Sequence, residues 1–210
     1  MSDAGEPGTR GRFIAFEGGE ACGKSTQSAL LATALDAVLT REPGGTVIGA
    51  RVRELVLDPS TEHLDPRAEA LLMAADRAQH VAEVVAPALA AGRHVVSDRF
   101  AGSSVAYQGH ARGLPIDEVE GLSRWATAGL WPDLVLLLDV PPATADARLG
   151  AARDRMERES AAFHDAVARG FRAQAAADPQ GWAVVDGTGT IEEVAAAVRR
   201  LVAERLQLLG

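Results

Sequence analysis

A glycine-rich run near the start of the chain has the residue types and spacing of a phosphate-binding loop. The residues Gly18-Gly-Glu-Ala-Cys-Gly-Lys24-Ser25 match the pattern G-x-x-x-x-G-K-[ST]. Glycines let backbone N–H groups turn toward phosphate oxygens, and the amino end of the following helix adds partial positive charge. Lys24 can reach the β- and γ-phosphates, and the Ser25 hydroxyl can join the shell of Mg²⁺. The motif therefore predicts a nucleoside triphosphate site. The residues that we assign to it are Gly18, Gly19, Glu20, Ala21, Cys22, Gly23, Lys24, Ser25 and Thr26.

A second candidate anion site follows the apolar run His94-Val-Val-Ser97. Asp98 and Arg99 come directly after this run, where a strand would reach its carboxyl end. An acid at this position suits the Mg²⁺ shell, and a neighbouring arginine suits bidentate binding of phosphate. We therefore predict Ser25 and Asp98 as metal ligands and Arg99 as a phosphate contact. The alternative is an ordinary surface Asp–Arg pair.

The elements that must position these side chains alternate along the chain. Apolar runs predict strands at residues 12–16, 38–40, 94–97, 134–140 and 183–186, and amphipathic patterns predict helices between them. A helix is expected over residues 26–37, another from 66 to 91 with a kink at Pro87, and a last one over 191–208 that begins with a capping box. Such alternation predicts an α/β fold with a parallel sheet between two helical layers.

Composition narrows the class of protein further. The chain has 210 residues, of which 47% are hydrophobic, and a length of this kind predicts one domain, residues 12–210. The formal charge is −8 without a Lys/Arg-dense block, so nucleic acid is not an expected partner. The single cysteine, Cys22, excludes a disulfide framework and fits a reducing, cytoplasmic setting. Residues 1–11 read as a flexible extension without a signal peptide, and no apolar run is long enough to predict a membrane span.

Six motifs in one order resemble the bacterial thymidylate kinase family. They are the glycine-rich loop, Thr40-Arg-Glu-Pro-Gly-Gly-Thr46, Asp76-Arg-Ala-Gln-His80, Ser97-Asp-Arg-Phe100, Ser103-Ser-Val-Ala-Tyr-Gln-Gly109 and Asp154-Arg-Met-Glu157. The resemblance runs from Phe13 to the last helix. It implies a three-layer P-loop fold with five parallel strands and a short mobile lid at about residues 148–159. It also implies ATP-dependent phosphorylation of dTMP to dTDP with Mg²⁺, in a cytoplasmic homodimer.

The resemblance also implies roles for individual residues. Lys24, Arg53, Arg99 and the lid residue Arg155 would supply the positive charge for transfer, with Arg99 and Arg53 on the dTMP phosphate. Contacts to thymine are implied for Arg77, Ser104 and Gln108. Tyr107 would lie under the deoxyribose, and Glu20 and Glu42 would lie near the sugar 3′-hydroxyl and the metal. The full set implied for dTMP is Glu20, Glu42, Arg53, Met73, Arg77, Arg99, Ser104, Tyr107 and Gln108.

The sequence departs from the family pattern at three places. Met73 stands where the family usually stacks a phenylalanine on thymine, and a thioether packs on a ring less rigidly. The lid is short, and Arg148, Arg153 and Arg158 align less clearly than Arg155. The glycine-rich loop carries Glu20 rather than an arginine, which in the family accompanies arginines supplied by the lid.

The segment Asp186-Gly-Thr188 resembles the loop that borders adenine in the family, and an ordinary turn is the alternative.

The charge of the acceptor defines the expected mechanism. A phosphate monoester has a second pKa of about 6, so its oxygen is already largely deprotonated at neutral pH and needs no general base.

Two alternative functions remain open beside that of a dTMP kinase. One is a kinase for dUMP, dCMP or a deoxynucleoside; of these, only the deoxynucleoside would need a general base, a role that Glu20 or Glu42 could fill. The other is a regulatory P-loop switch, for which no N-K-x-D motif is present.

Overall fold

The computed structural model describes residues 10–61, 63–148 and 153–209. Within these ranges, five parallel strands form one sheet in the order β2-β3-β1-β4-β5. The strands are β1 (Phe13–Glu17), β2 (Val38–Arg41), β3 (Val95–Asp98), β4 (Leu134–Asp139) and β5 (Trp182–Asp186). The predicted α/β class and the five-stranded parallel sheet are confirmed.

The sheet is buried on both faces, which explains its near-continuous apolar runs. Ile14 and Leu136 face one apolar cluster, which the first and last helices of the chain complete. The alternate residues of the same strands, such as Phe13 and Leu137, face two clusters on the opposite side. Because side chains alternate along a strand, one sheet supports two helical layers, and the predicted three-layer arrangement follows.

The register of the central strands places the two candidate anion sites next to each other. β1 and β3 pair directly, with Phe16 opposite Asp98. The glycine-rich loop follows β1, and Arg99 follows β3. Both segments therefore leave the same edge of the sheet side by side, at the carboxyl ends of the strands where ligands bind in open α/β sheets.

Helices flank the sheet and carry most of the remaining site residues. They are α1 (Lys24–Leu35), α2 (Val47–Leu57), α3 (Pro66–His80), α4 (Ala86–Ala90), α5 (Ala101–Ser104), α6 (Ile116–Ala126), α7 (Pro142–Arg148), α8 (Ala161–Ala177) and α9 (Ile191–Leu206). Two π-helical segments, Val81–Val85 and Val105–Ala111, continue α3 and α5. In the part of the chain that the structure describes, no helix combines the length and the apolar character that crossing a bilayer requires.

Local sequence explains most helix ends, with small differences from the predicted bounds. α1 begins two residues earlier than predicted and ends at Leu35, and the next residue, Asp36, has a left-handed conformation with φ +49°. The irregularity expected at Pro87 lies upstream, in the π-helical segment, and Pro87 itself occupies the first turn of α4. A proline is tolerated there because its missing N–H would have no partner within the helix. The capping box of α9 forms between Thr190 and Glu193 as predicted.

Two predicted flexible segments lie partly outside the described residues. Residues 1–9 of the N-terminal extension and residues 149–152 of the lid are among those that the structure does not describe. Arg10 and Gly11 are part of the packed chain, because Arg10 pairs with Asp133 at 2.9 Å and the Gly11 N–H donates to the Leu89 carbonyl. The packed region thus begins two residues before the predicted boundary. Within the lid, Met156 is buried.

Candidate active site

The glycine-rich loop has the backbone shape that its sequence predicts. Gly18 and Gly23 have φ values of +146° and +96°, which side-chain-bearing residues rarely adopt. A Cβ on Gly18 would also lie 2.7 Å from the Leu138 carbonyl oxygen. Lys24 folds back into the loop, where its Nζ donates to the Gly19 carbonyl at 2.6 Å. The lysine is therefore held inside the loop that is predicted to cradle the phosphates.

Ser25 and Asp98, the predicted metal ligands, are in direct contact. The Ser25 hydroxyl donates to Asp98 Oδ2 at 2.5 Å. Hydroxyl and carboxylate oxygens suit Mg²⁺, which in kinases takes few protein ligands and completes its shell with phosphates and water. Among the described residues, no cluster of three or more His, Cys, Asp or Glu side chains is placed to hold a metal. The pair therefore fits an ion that arrives with a nucleotide.

Arg99 connects the glycine-rich loop to the second candidate site. Its guanidinium donates to the Gly18 carbonyl at 2.9 Å and to Glu20 at 2.7 Å, and it lies over the Tyr107 ring. Tyr107 donates its hydroxyl to the same Glu20 oxygen at 2.5 Å. Burial alone would raise the pKa of Glu20, but the charges of Arg99 and Lys24 lower it to about 2. The two predicted anion sites thus face each other across one crevice.

A cleft beside Arg99 collects every residue implied for dTMP. Those nine residues are Glu20, Glu42, Arg53, Met73, Arg77, Arg99, Ser104, Tyr107 and Gln108. Further lining comes from Pro43, Leu57, Asp76, Phe100, Ser103, Asp154 and Met156. The predicted residues span positions 20 to 108 in the sequence, so the fold brings together side chains that only the motifs had linked.

Arg53 adds positive charge to the outer part of this cleft. Its guanidinium donates to the Pro43 carbonyl at 3.0 Å. Burial lowers the pKa of Arg53, and the charges of Arg41 and Arg99 lower it further. Cations that disfavour one another in this way gain from an anion between them. Arg53 is therefore placed to help bind a phosphate group.

Arg77 is a fixed donor in the wall of the cleft. Its Nε donates to Glu42 at 2.8 Å, and its two Nη atoms donate to Ser123, Ser104 and the Phe100 carbonyl at 3.1 to 3.2 Å. Glu42 also contacts His80 Nδ1 at 2.8 Å and is buried. Arg77 is buried, so it is not a solvated arginine on a helix surface. Glu42 likewise has cationic and imidazole partners rather than free oxygens.

The Tyr107 side chain belongs to the core and to the cleft at once. Its ring makes edge-on contacts with Phe163 and Phe171, whose centroids lie 6.1 and 6.2 Å away. Its hydroxyl reaches Glu20, as described above. The position of the ring is therefore compatible both with core packing and with a role in the cleft.

The predicted lid arginine Arg155 is seated on the acceptor side of the crevice. Its Nε donates to the Val56 carbonyl at 2.7 Å and its Nη2 to Glu69 at 2.5 Å. Arg148 instead lies near the glycine-rich loop, where it donates to the Gly187 carbonyl at 3.1 Å. The Asp186 carboxylate accepts hydrogen bonds from Thr188 and so closes the turn around Gly187. This turn lies against the glycine-rich loop.

Glu17 is a site residue that the sequence patterns did not indicate. It ends β1, is buried, and accepts hydrogen bonds from the N–H groups of Phe100 and Ser103 and from the Ser103 hydroxyl. Ser103 in turn accepts from Arg99 at 3.1 Å. Glu17 therefore stabilises the turn in which Arg99 has a left-handed φ of +72°. The only sequence signal is an acidic residue that ends an otherwise apolar strand.

Glu17 should make stability depend on pH. Burial raises its pKa from 4.5 to about 7, so the folded chain holds a proton that the unfolded chain releases. Stability should fall as pH rises, by about 2 kcal/mol between pH 5.5 and pH 8. Glu17→Gln should lack this component. Urea unfolding of both proteins at the two pH values measures the difference, and parallel pH dependence of the two proteins would contradict the raised pKa.

The fold and the site together define a class of protein. A parallel sheet that carries a glycine-rich triphosphate loop beside a cation-lined second cleft is the architecture of P-loop nucleotide kinases. The family model described as "Thymidylate kinase" matches residues 16–198. A thymidylate kinase of Clavibacter michiganensis is 52% identical over 197 residues, covering 90% of this chain and 93% of that protein. One from Leifsonia xyli is 53% identical with the same coverage.

A solved structure agrees with these sequence matches. The crystal structure of thymidylate kinase from Ehrlichia chaffeensis superposes with a TM-score of 0.77 at 30% identity, covering 92% of this chain and 99% of that one. The chain belongs to the thymidylate kinase family. It is a nucleoside monophosphate kinase, and its reaction is the ATP-dependent phosphorylation of dTMP to dTDP.

Proposed function

We propose that the crevice divides this reaction between a donor side at residues 18–26 and an acceptor side at the cleft around Arg99. The observation that supports the division most directly is the placement of Arg99, which contacts both Gly18 and Glu20. A phosphate of dTMP bound at Arg99 would lie next to the loop that holds the ATP phosphates. Alignment of two anions that repel each other is the main requirement of such a transfer.

The chain's own residues supply charge and position rather than a base. Lys24 would contact the donor phosphates, and Arg99 and Arg53 would hold the acceptor phosphate. Because the acceptor oxygen is already deprotonated near neutral pH, no residue has to remove a proton. Glu20 and Glu42, the candidate bases for a nucleoside acceptor, each already accept hydrogen bonds from an arginine. This pairing supports a phosphate rather than a hydroxyl acceptor.

The same proposal includes Mg²⁺ held by Ser25 and Asp98. An ion held there would offset the negative charge of the donor phosphates during transfer. The hydrogen bond between the Ser25 hydroxyl and the Asp98 carboxylate supports the proposal, because it places the two side chains side by side.

A coupled kinase assay with ATP and Mg²⁺ tests the proposed acceptor side. The acceptors are dTMP, dUMP, dCMP, dGMP and thymidine. We expect dTMP to have the highest kcat/KM and thymidine to be inactive, because thymidine lacks the anion that Arg99 and Arg53 would bind. Turnover of thymidine comparable with that of dTMP would instead support the nucleoside kinase alternative.

Replacement of Met73 tests the base subsite. Met73 lines the cleft where a stacked aromatic ring is usual in the family. Stacking of a base on an aromatic ring is worth about 1–3 kcal/mol, and a thioether contact with a ring is worth less. Met73→Phe should therefore lower the KM for dTMP about three- to tenfold with little change in kcat. An unchanged KM would mean that this side chain does not lie under the base.

We also infer that the chain acts as a cytoplasmic homodimer, as the family resemblance implies. Ile48 and Leu55, seven residues apart on one face of α2, are about half exposed, and Trp125 on α6 is 81% exposed. Apolar side chains exposed on surface helices suit a self-complementary interface. A solution mass of twice the 21.9 kDa chain would support the inference, and a monomeric mass at assay concentration would contradict it.

A further inference from the structure

The carboxylate of Glu69, in α3, joins three segments around the acceptor cleft. Glu69 is fully buried and accepts hydrogen bonds from Gln108 at 2.8 Å, from Arg155 at 2.5 Å and from Arg112 at 3.2 Å. Gln108 lies in the second π-helical segment, Arg112 directly follows that segment, and Arg155 belongs to the lid. Arg112 also pairs with Glu159 at 2.6 Å. No sequence motif singled out Glu69.

Glu69 has the surroundings of an ionised group. Burial raises its pKa, but the hydrogen bonds from Gln108 and Arg155 and the charge of Arg112 bring the pKa below its ordinary value. A buried carboxylate with two arginine partners keeps its charge at neutral pH. An ionised carboxylate has only acceptor atoms. Any group that hydrogen-bonds to it must therefore present a donor.

This requirement fixes the orientation of the Gln108 carboxamide. Its nitrogen must face Glu69, which leaves the oxygen as the group that it can offer to the cleft. In the described part of the chain, no donor is hydrogen-bonded to that oxygen. If the amide could turn freely, it could present either an acceptor or a donor.

The difference matters because pyrimidine bases differ in their N3 groups. Thymine carries a hydrogen on N3, which a carboxamide oxygen can accept. Cytosine has a lone pair on N3, which that oxygen would repel and an amide N–H would attract. A fixed acceptor in the base subsite therefore favours thymine over cytosine.

We infer that Glu69 is a positioning residue, which fixes the Gln108 carboxamide with its oxygen toward the cleft and so makes the acceptor site prefer dTMP to dCMP. This inference rests on the proposed contact of Gln108 with the base. Arg112 and Arg155 contribute by keeping the buried charge in place. Glu69 itself does not touch the base.

The test is the ratio of kcat/KM for dTMP to kcat/KM for dCMP, measured with the full chain. Glu69→Gln can donate as well as accept, so it no longer dictates the orientation of Gln108, and the ratio should fall about tenfold or more. Glu69→Asp keeps the charge for the arginines but draws the carboxylate back from Gln108, and it should lower the ratio in the same direction. If dCMP turnover is too slow, calorimetric affinities give the same comparison. A loss of stability or of overall activity acts on both substrates and leaves the ratio unchanged.

Two further variants separate the possible outcomes. Glu159→Gln removes a carboxylate from Arg112 without touching Gln108, so its ratio should match that of the unmodified chain. Gln108→Leu tests the base contact itself and should lower the ratio. If Gln108→Leu lowers it while both Glu69 variants leave it unchanged, the positioning role is overturned and the proposed contact stands. If Gln108→Leu has no effect, the proposed contact fails. If Glu159→Gln lowers the ratio as much as the Glu69 variants, the effect is not specific to Glu69, and the inference is wrong.

Discussion

Lys24→Ala should reduce kcat by about 10³-fold or more while the chain keeps its fold. The Lys24 ammonium group hydrogen-bonds to Gly19 within the glycine-rich loop, so its removal leaves the sheet and its helical layers intact. The loss falls on the transition state, because a positive charge held in place at the donor phosphates stabilises the charge that develops there.

The measurement is steady-state phosphorylation of dTMP, with thermal melting as the check on folding. Lys24 is the single lysine of the sequence, so no neighbouring lysine can replace its ammonium group. Lys24→Arg keeps the charge but not the compact shape, and it should recover part of the activity at most. If the activity of Lys24→Ala lies within tenfold of that of the unmodified protein, Lys24 has no direct part in phosphoryl transfer.

Arg99→Ala should lower kcat/KM for dTMP by about 10²- to 10³-fold. The guanidinium joins the glycine-rich loop to the acceptor cleft, and one charge-assisted contact to a transferring phosphate is worth a few kcal/mol. Alanine also fits the left-handed backbone at this position no better than arginine does, so the change leaves the backbone strain as it is. The effect should therefore lie in catalysis, with a smaller change in melting temperature.

Two variants sharpen the interpretation of Arg99. Arg99→Lys retains one positive charge without the planar fork and should give an intermediate activity. Arg10→Ala removes an arginine that pairs with Asp133. Asp133 directly precedes β4, so this pair lies at the amino ends of the strands, opposite the site. The activity of the Arg10→Ala variant should therefore be unchanged. If Arg99→Ala and Arg10→Ala lose activity equally, the proposed phosphate contact is wrong.

The parts of the fold that were predictable depend on short-range patterns. The apolar run of β4 and the capping box at Thr190 are patterns of residues that are close in the sequence. β4 and α9 accordingly lie within one or two residues of the predicted bounds. The π-helical segment before Pro87 was not predictable, because its sequence Val-Ala-Glu-Val-Val has no pattern that differs from that of an ordinary helix.

The residues of the candidate site also differ in how well the sequence predicts them. Lys24 and Ser25 follow from the loop motif alone, whereas the remaining cleft residues depended on the family resemblance. Glu17 and Glu69 escaped prediction because their partners are distant in the sequence: Ser103 lies 86 residues after Glu17, and Arg155 lies 86 residues after Glu69. A buried carboxylate is informative only once the fold shows which cations and donors surround it.

The contact between Glu20 and Arg99 would make binding of a phosphate at the proposed Arg99 site an exchange of one anion for another. The guanidinium has the Glu20 carboxylate as a partner, and Tyr107 donates to the same oxygen. An incoming phosphate therefore gains only the difference between two charge-assisted bonds, and a small anion without a base or sugar has little to add to that difference. The contact with Glu20 would therefore lower the affinity of the proposed Arg99 site for free phosphate more than its affinity for ligands that also fill the rest of the cleft.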